Sequence, residues 1–153
     1  MKDPQHQVAD LRLAALAIAH EAHKVQRDLA GQPYIEHIQR VAAAVADDPI
    51  AEVVAILHDV FEDASHLRSA VQAQFPASVV HSIQLLTRDP SVAIEAYYAA
   101  IRTDPVALRV KLADIADNSC PARLACLPDA TAARLRVKYA KAIRLLGGPG
   151  FDA

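Results

Sequence analysis

Four ionisable residues lie close together near the middle of the chain. His58 and Asp59 are adjacent, and Glu62 and Asp63 follow within one helical turn. In a helix, residues three and four positions apart share a side, so these side chains would be neighbours. Clustered carboxylates repel one another unless protons or a cation neutralise them, and imidazole with carboxylate suits a divalent metal. A solvated helix end is the alternative, but acidic residues at a helix C-terminus oppose its dipole.

Two further residues could join this cluster from other parts of the chain. His37 lies on the apolar side of its predicted helix, where a histidine that simply packs in the core is the common alternative. Asp114 ends the apolar run 108–113, where pairing with Lys111 would also explain it. Together with His58 and Asp59, they would give three helices that each offer an inward-facing ligand. Helical folds build metal sites in this way.

The elements that must position these residues are predicted to be helices. Apolar residues recur with a period near 3.6, and proline, glycine and aspartate divide the chain. Asp48-Pro49 and Asp104-Pro105 each combine a helix N-cap with a proline at the first helical position. No stretch resembles a strand, so the sequence predicts an all-α fold in one domain, 1–153. The predicted helices are 8–29, from Tyr34 to about 45, 50–63, 65–74, 77–87, 91–102, 105–118 and 131–146.

Composition and charge restrict the classes of partner. Hydrophobic residues make up 53% of the chain, and 16 Lys plus Arg face 18 Asp plus Glu, for a net charge of -2. A chain this close to neutral lacks a positive field for nucleic acid, so we expect no nucleic-acid partner. No apolar run approaches the ~20 residues that span a bilayer, and the first ten residues show no signal-peptide pattern. We therefore expect a cytoplasmic protein without a membrane partner; its oligomeric state is not indicated.

Three motifs, in this order and spacing, resemble those of the HD superfamily. They are residues 31–37 (GQPYIEH), 57–63 (LHDVFED), and 110–114 (VKLAD) followed by Asn118. More narrowly, residues 20–125 resemble the hydrolase domain of the RelA/SpoT group, including small stand-alone members that remove the 3′-pyrophosphate of (p)ppGpp. This resemblance implies a compact HD-domain-like helical bundle. It also implies a single Mn²⁺, or another divalent metal, held by four ligands: His37, His58, Asp59 and Asp114.

The same resemblance implies roles for residues around the metal. Glu62 and Asp63 would position and deprotonate the attacking water. The residues expected to contact a nucleotide or phosphate substrate are Tyr34, Lys24, Arg27, Arg88, Lys111 and Asn118, with Arg123 as a further phosphate contact. The group commonly has arginine, lysine and serine before the glycine of the first motif, where this chain has Asp28, Leu29 and Ala30. An acidic side chain cannot pair with phosphate or stack on a base as arginine does.

Three functions are consistent with these observations. The first is a ppGpp 3′-pyrophosphohydrolase of the stringent response, as the resemblance implies. The second is an HD phosphohydrolase that acts on another nucleotide or small phosphate ester, which the acidic Asp28 favours. The third is a non-enzymatic helical metal-binding module. The chain is too short to include the synthetase half of long RelA/SpoT proteins, so no (p)ppGpp synthesis is expected.

Two other sets of residues have simpler interpretations. His20 and His23 are three positions apart on the first helix and could approach the pocket, but a surface location is favoured for both. Cys120 and Cys126 have a spacing that suits neither a zinc site nor a redox pair, so we expect idle thiols.

Overall fold

Apolar periodicity and proline punctuation give an almost entirely helical chain. The computed structural model describes residues 3–147, and these contain ten α-helices, one 3₁₀ turn and no β-strand. The helices are α1 Pro4–His23, α2 Tyr34–Ala44, α3 Pro49–Leu57, α4 Val60–Asp63, α5 Arg68–Gln74, α6 Ala77–Leu86, α7 Ile94–Ile101, α8 Pro105–Asn118, α9 Pro121–Leu124 and α10 Asp129–Leu145, with the 3₁₀ turn at Ser65–Leu67. The predicted all-α fold is confirmed, whereas the single domain 1–153 stays a prediction.

Two aspartates start the helices that matter most for the site. Asp48 Oδ1 accepts hydrogen bonds from the backbone N–H groups of Ile50 and Ala51, at 3.0 and 3.2 Å. Asp104 Oδ1 accepts the corresponding pair at the start of α8, at 2.9 and 3.1 Å. Each carboxylate thus satisfies backbone donors that have no partner within their helix. The predicted N-caps of α3 and α8 are confirmed.

The core is built around α3. This helix packs against α1, α2, α6 and α8. Every residue from Val53 to Leu57 is buried, so the helix has no polar face over this stretch. A helix that is apolar all round belongs in a protein interior. The end of α3 therefore delivers His58 and Asp59 to the centre of the molecule.

Two predicted helix ends were wrong. The first helix was expected to continue to Leu29 but ends at His23, because Asp28 Oδ1 accepts the backbone N–H groups of Ala30 and Gln32. Such local hydrogen bonds compete with helical ones. Gly31 then turns the chain with a φ of 81°, which glycine adopts without strain.

The predicted helix 50–63 is also interrupted. It ends at Leu57, a turn at His58 and Asp59 follows, and α4 begins at Val60. The carbonyl oxygen of Ala55 receives both the backbone N–H of His58, at 3.4 Å, and its ring Nδ1, at 2.6 Å. This tightens the last turn and ends α3. Glu62 and Asp63 therefore lie on α4 rather than at the C-terminal end of one long helix.

The remaining differences are small. α9 was not predicted, and α10 begins at Asp129, slightly before the expected start at Thr131. Among the residues that the structure describes, no helix has the length and apolar character required to cross a membrane.

Candidate metal centre

The four predicted metal ligands converge from three parts of the fold. His37 comes from α2, His58 and Asp59 from the turn between α3 and α4, and Asp114 from α8. Each contributes a nitrogen or carboxylate oxygen that lies within 4.8 Å of the others. His37, His58 and Asp114 are buried. The structure thus brings together side chains that are far apart in sequence.

Hydrogen bonds on the outer side of each imidazole set its orientation. His37 Nδ1 lies 2.6 Å from Asp117 Oδ2, and His58 Nδ1 lies 2.6 Å from the Ala55 carbonyl oxygen. Both partners only accept, so each Nδ1 carries a proton and donates it. Nε2 of both rings then points into the cluster, with His37 Nε2 at 3.0 Å from Asp114 Oδ1. Metal-ligating histidines are normally held by a second nitrogen in this manner.

The donor set fits a divalent ion. Within the described part of the chain, His58 Nε2 is buried and has no hydrogen-bond partner, although Asp59 Oδ2 and Asp114 Oδ1 lie 3.2 and 3.5 Å away. A buried unpartnered nitrogen that faces two carboxylates is costly unless a proton or a cation joins them. Two imidazole nitrogens and two carboxylate oxygens are a suitable combination for several divalent metals.

The charges that meet in this cluster shift the pKa of its members. Burial would lower the pKa of His58, but Asp59 and Asp114 raise it well above its usual value. Burial likewise opposes the charged form of His37, yet the carboxylates that face it raise its pKa. Burial would raise the pKa of Asp114, but Lys111 and the two histidines hold it well below the ordinary range. The cluster therefore stabilises positive charge at its centre.

Three residues predicted to contact substrate touch the ligand carboxylates. The Tyr34 hydroxyl donates to Asp59 Oδ2 at 2.6 Å. Lys111 Nζ lies 2.9 Å from Asp114 Oδ2, and Asn118 Nδ2 donates to Asp114 Oδ1 at 3.0 Å. These contacts fix the carboxylates in position. Contact between these three residues and a substrate stays a prediction.

Glu62 and Asp63 lie at the rim of the cluster, on α4. A Glu62 oxygen accepts the backbone N–H of Arg88, and Asp63 Oδ2 accepts a hydrogen bond from Gln26 Nε2 at 3.1 Å. Burial raises the pKa of both carboxyl groups, and the negative charge of nearby Asp59 raises it further. Both groups thus bind a proton more readily than an ordinary surface carboxylate.

The other predicted substrate contacts have partners of their own. Lys24 Nζ pairs with Glu21 at 2.7 Å on the exposed side of the chain. The Arg88 guanidinium lies over the Tyr97 ring, 5.4 Å from its centroid. Arg27 Nη1 donates to the Gly31 carbonyl oxygen at 3.0 Å. Of these three cations, Arg27 lines the cavity beside the metal cluster.

This cavity has a volume of about 230 Å³ and adjoins the cluster through Tyr34 and Asn118. The rest of its lining comes from the loop after α1 and from α9 and α10: Arg27, Asp28, Leu29, Ala30, Arg123, Leu124, Leu127, Leu135 and Tyr139. The Arg123 guanidinium donates to Asp28 Oδ2 and to Asp117 Oδ2, each at 2.7 Å. The negative charge of Asp28 is therefore paired within the wall of the cavity.

Two residues of the site were not recognised in the sequence. Asp117 orients His37, and its position one turn after Asp114 on the same helix could have indicated this. His23 was expected on the surface, which is wrong, because it is 2% exposed. The available signal was its position four residues after Ala19 and eight after Ala15, which are both buried. His20 is exposed, as expected.

Comparisons with known proteins give one consistent picture. No protein-family model matches the chain. It is 38% identical over 69 residues to guanosine-3′,5′-bis(diphosphate) 3′-pyrophosphohydrolase of Haemophilus influenzae, covering 43% of this chain and 10% of that protein. It is 30% identical over 116 residues to a probable GTP pyrophosphokinase of Mycobacterium leprae, covering 68% and 15%. The chain thus spans less than a fifth of the length of these relatives.

A solved structure shows the same fold. It is described as a metazoan ortholog of SpoT that hydrolyses ppGpp, and it matches with a TM-score of 0.72 and 23% identity over 93% of this chain and 88% of its own. A further relative, from Aquifex aeolicus, has the same name as the Haemophilus protein, guanosine-3′,5′-bis(diphosphate) 3′-pyrophosphohydrolase. This chain is 29% identical to it over 126 residues, which cover 75% of this chain and 18% of that protein. The chain therefore has the helical fold of this hydrolase, and its predicted resemblance to the RelA/SpoT group is confirmed.

Proposed function

We propose that this protein is a metal-dependent phosphohydrolase that removes the 3′-pyrophosphate of ppGpp and acts in the stringent response. One observation carries the proposal: His37, His58, Asp59 and Asp114 converge in the core, with two proton-binding carboxylates beside them. The activity for which these relatives are named supports ppGpp as substrate. The substrate is a small nucleotide, so neither a nucleic-acid nor a membrane partner is needed, and we propose a cytoplasmic location.

His37, His58, Asp59 and Asp114 would hold the metal, which we propose to be Mn²⁺. When bound, such an ion lowers the pKa of a coordinated water and offsets charge that develops on phosphorus. The side chains around it prepare the site. Asp117 and the Ala55 carbonyl keep both imidazoles in the ligating tautomer, and Tyr34 restrains the Asp59 carboxylate. Mixed nitrogen and oxygen ligation supports Mn²⁺ rather than a structural zinc site rich in cysteine.

Glu62 and Asp63 would handle the water. Each side chain has one anchoring hydrogen bond on a carboxylate oxygen, which leaves lone pairs free to accept a proton. The raised pKa of both groups brings them closer to the working pH, as efficient general bases require. Either carboxylate could therefore orient the water and take its proton as the water attacks phosphorus.

The cavity beside the cluster would hold the nucleoside. Leu124, Leu127, Leu135 and Tyr139 provide an apolar wall of the kind that accepts a planar base. Tyr34 and Asn118 join this wall to the metal ligands, so a base in the cavity would place attached phosphates near the cluster.

A different nucleotide or phosphate ester is the second candidate substrate. Arg123 is the arginine of the cavity nearest the ligand network, but its guanidinium is already paired with Asp28 and Asp117. Arg27 and Arg123 both line the cavity, but the positive charge of Arg123 is already neutralised. A further phosphate group of the substrate would therefore meet less positive charge there than two unpaired arginines would provide. This pairing favours a substrate with fewer phosphates than ppGpp.

Hydrolysis with purified protein tests these alternatives. The protein with Mn²⁺ would be assayed against ppGpp, GTP, GDP and a generic phosphate ester, and products would be separated by ion exchange. We expect release of pyrophosphate from the 3′ position of ppGpp, and loss of this activity in Asp59→Ala. Glu95→Gln removes an exposed carboxylate that pairs only with Lys141, at 3.6 Å, and serves as the control.

The pattern of substrates distinguishes the three hypotheses. Hydrolysis of other nucleotides but not ppGpp would support the second candidate. If the protein binds Mn²⁺ tightly and hydrolyses none of the substrates, the non-enzymatic metal-binding module replaces both.

A further inference from the structure

A chain of hydrogen bonds connects a buried histidine to one of the water-handling carboxylates. His23 Nδ1 lies 2.7 Å from Gln26 Oε1, and Gln26 Nε2 lies 3.1 Å from Asp63 Oδ2. His23 is buried at the end of α1, whereas Asp63 stands at the rim of the metal cluster. The histidine takes no part in the chemistry proposed above.

The direction of these hydrogen bonds follows from their chemistry. An ionised carboxylate only accepts, so the Gln26 amide must turn its N–H₂ group towards Asp63. The amide oxygen then faces His23, so Nδ1 of the ring must carry a proton and donate it. The other ring nitrogen, His23 Nε2, is buried and has no hydrogen-bond partner among the described residues. Leaving this nitrogen unpaired is costly, which points to a role for the orientation of the ring.

Contacts with Tyr34 and with each other hold His23 and Gln26 in place. The His23 ring packs against Tyr34, with ring centroids 5.1 Å apart, and Tyr34 itself donates to the metal ligand Asp59. The backbone of Gln26 is fixed as well, because its N–H donates to the His23 carbonyl at 3.1 Å and its carbonyl accepts the Tyr34 N–H at 2.9 Å. The backbone of Gln26 and the His23 ring together restrict where the Gln26 amide can lie, and in this position it contacts Asp63.

We propose that His23 and Gln26 are positioning residues, which hold Oδ2 of Asp63 so that the other oxygen accepts a proton from the attacking water. This inference rests on the proposed function. Asp63 lies near Asp59, whose negative charge repels it, and its side chain is 27% exposed. Without the Gln26 amide, the carboxylate would be free to rotate away from Asp59 into solvent. Small losses of orientation at a reacting group reduce rates strongly.

Two substitutions of His23 separate hydrogen bonding from packing. His23→Asn keeps an N–H donor near the position of Nδ1 but removes the ring, whereas His23→Phe keeps a ring against Tyr34 but has no donor. If His23 acts through Gln26, we expect His23→Phe to lower kcat about 10- to 100-fold, and the conservative His23→Asn to restore much of that loss. A packing role predicts the opposite order. His20→Asn, on the exposed side of α1, is the matched control.

Gln26→Met tests the middle of the chain with a side chain of similar length and no amide. We expect kcat to fall by about the same factor as in His23→Phe, with KM and Mn²⁺ affinity unchanged, because neither residue is a proposed ligand or lines the cavity, and Gln26→Met keeps the backbone hydrogen bond to Tyr34. Equal losses in His23→Asn and His23→Phe, or a loss that appears in KM or Mn²⁺ affinity instead of kcat, would overturn the proposal.

A measurement without substrate separates this proposal from the proposed function. Nitrogen-15 NMR of the wild-type protein should show the proton of His23 on Nδ1. It should also show a slowly exchanging side-chain amide proton of Gln26 that exchanges faster in Asp63→Ala. A ring that carries its proton on Nε2 and none on Nδ1 overturns the proposal whatever the activity. If the wild-type protein hydrolyses nothing, the proposed function fails, and a positioning role in that reaction fails with it even where the NMR signals confirm the hydrogen bonds.

Discussion

The Asp117 carboxylate is where several polar contacts of the site meet. Its two oxygens accept from His37 Nδ1 at 2.6 Å, Arg40 Nε at 2.8 Å and Arg123 Nη1 at 2.7 Å. Burial would raise its pKa, but these donors lower the pKa to about 2. Asp117 is therefore ionised at any working pH, and it holds a proton on His37 Nδ1 so that Nε2 is available to a metal.

The role of Asp117 gives the first prediction. In Asp117→Asn, the amide can offer its own N–H to His37 Nδ1, which favours the tautomer with a proton on Nε2. We expect Mn²⁺ affinity to fall about 10- to 100-fold, as is usual when an outer partner of a ligating histidine is lost. Isothermal titration calorimetry would measure this. The exposed Asp129→Asn changes the net charge equally and should bind as the wild type does; equal affinity in Asp117→Asn would contradict the assignment.

Asp28 gives a second prediction, which concerns pH. Burial would raise its pKa, but the N–H of Gln32, the Arg123 guanidinium and the N–H of Ala30 together lower it. The folded pKa lies below the unfolded value of about 3.9, so the ionised carboxylate stabilises the fold above that pH. This stabilisation is lost as the pH falls through the folded pKa.

Asp28→Asn should therefore lower the free energy of unfolding by about 1–3 kcal/mol at pH 7. The difference from the wild type should shrink below about pH 4. Urea denaturation at pH 7 and at about pH 3 measures both values. Asp47→Asn is the control, because Asp47 also pairs with an arginine, Arg109, but is exposed, and such pairs contribute little. A difference for Asp28→Asn that persists unchanged into acid would show that the charge of Asp28 is not responsible.

Among single residues, the sequence predicted those with recognisable spacing and missed those defined by contacts. His37, His58, Asp59 and Asp114 stand in motifs, and their convergence was predicted correctly. The pairing of Asp28 with Arg123 was not predictable, because it joins the loop after α1 to α9, 95 residues further along the chain. A charge that looks unsuited to phosphate in the sequence is thus already neutralised in the fold.

Among the elements, periodicity identified helices well but could not detect the break at His58. Val60 and Phe61 continue the apolar pattern of α3 and are buried, so the pattern runs through the turn without interruption. The turn interrupts the helix, while those two side chains stay in the core. The proposed ligands His58 and Asp59 therefore lie in a turn, whereas Glu62 and Asp63 lie on α4. The spacing of apolar residues does not show this difference.

The N-cap of α8 supports a third prediction. Asp104 caps this helix through Oδ1, and its Oδ2 also accepts a hydrogen bond from Ser82 Oγ at 2.9 Å. Asp104→Ala should lower the free energy of unfolding by about 2–3 kcal/mol, because a cap and a buried hydrogen bond are lost together. Asp48→Ala removes the cap of α3 alone, so its loss should be smaller, about 1 kcal/mol.

Chemical denaturation of both cap variants tests this prediction, and Mn²⁺ titration of the folded proteins provides a second measurement. Asp114 lies in the last turns of α8, away from the cap, so Mn²⁺ affinity should be unchanged in Asp104→Ala. An equal loss of stability in the two variants would show that the Ser82 hydrogen bond adds nothing.

At the scale of the whole molecule, the metal cluster connects helices that already pack together. α2, α3 and α8 contact one another pairwise, and each provides or immediately precedes a ligand. Without an ion, Asp59 and Asp114 depend on Lys111 and protonated imidazoles for neutralisation. An ion at this position would bind only the folded chain, because the unfolded chain does not bring these residues together. Binding of a metal at this site would therefore be coupled to folding.

This coupling gives the last prediction. Mn²⁺ at 100 times its Kd should stabilise the fold by about 2.7 kcal/mol, which corresponds to a rise in Tm of roughly 5–10 °C. EDTA should reverse the rise. The Tm of Asp59→Ala should not rise with Mn²⁺. In EDTA its Tm can equal that of the wild type, because the substitution also removes a charge that repels Asp114. Hydrogen exchange in Mn²⁺ should slow throughout α2, α3 and α8. A rise in the Tm of Asp59→Ala equal to that of the wild type would place the ion elsewhere, since a site that lacks one of its two carboxylate ligands cannot keep the same affinity.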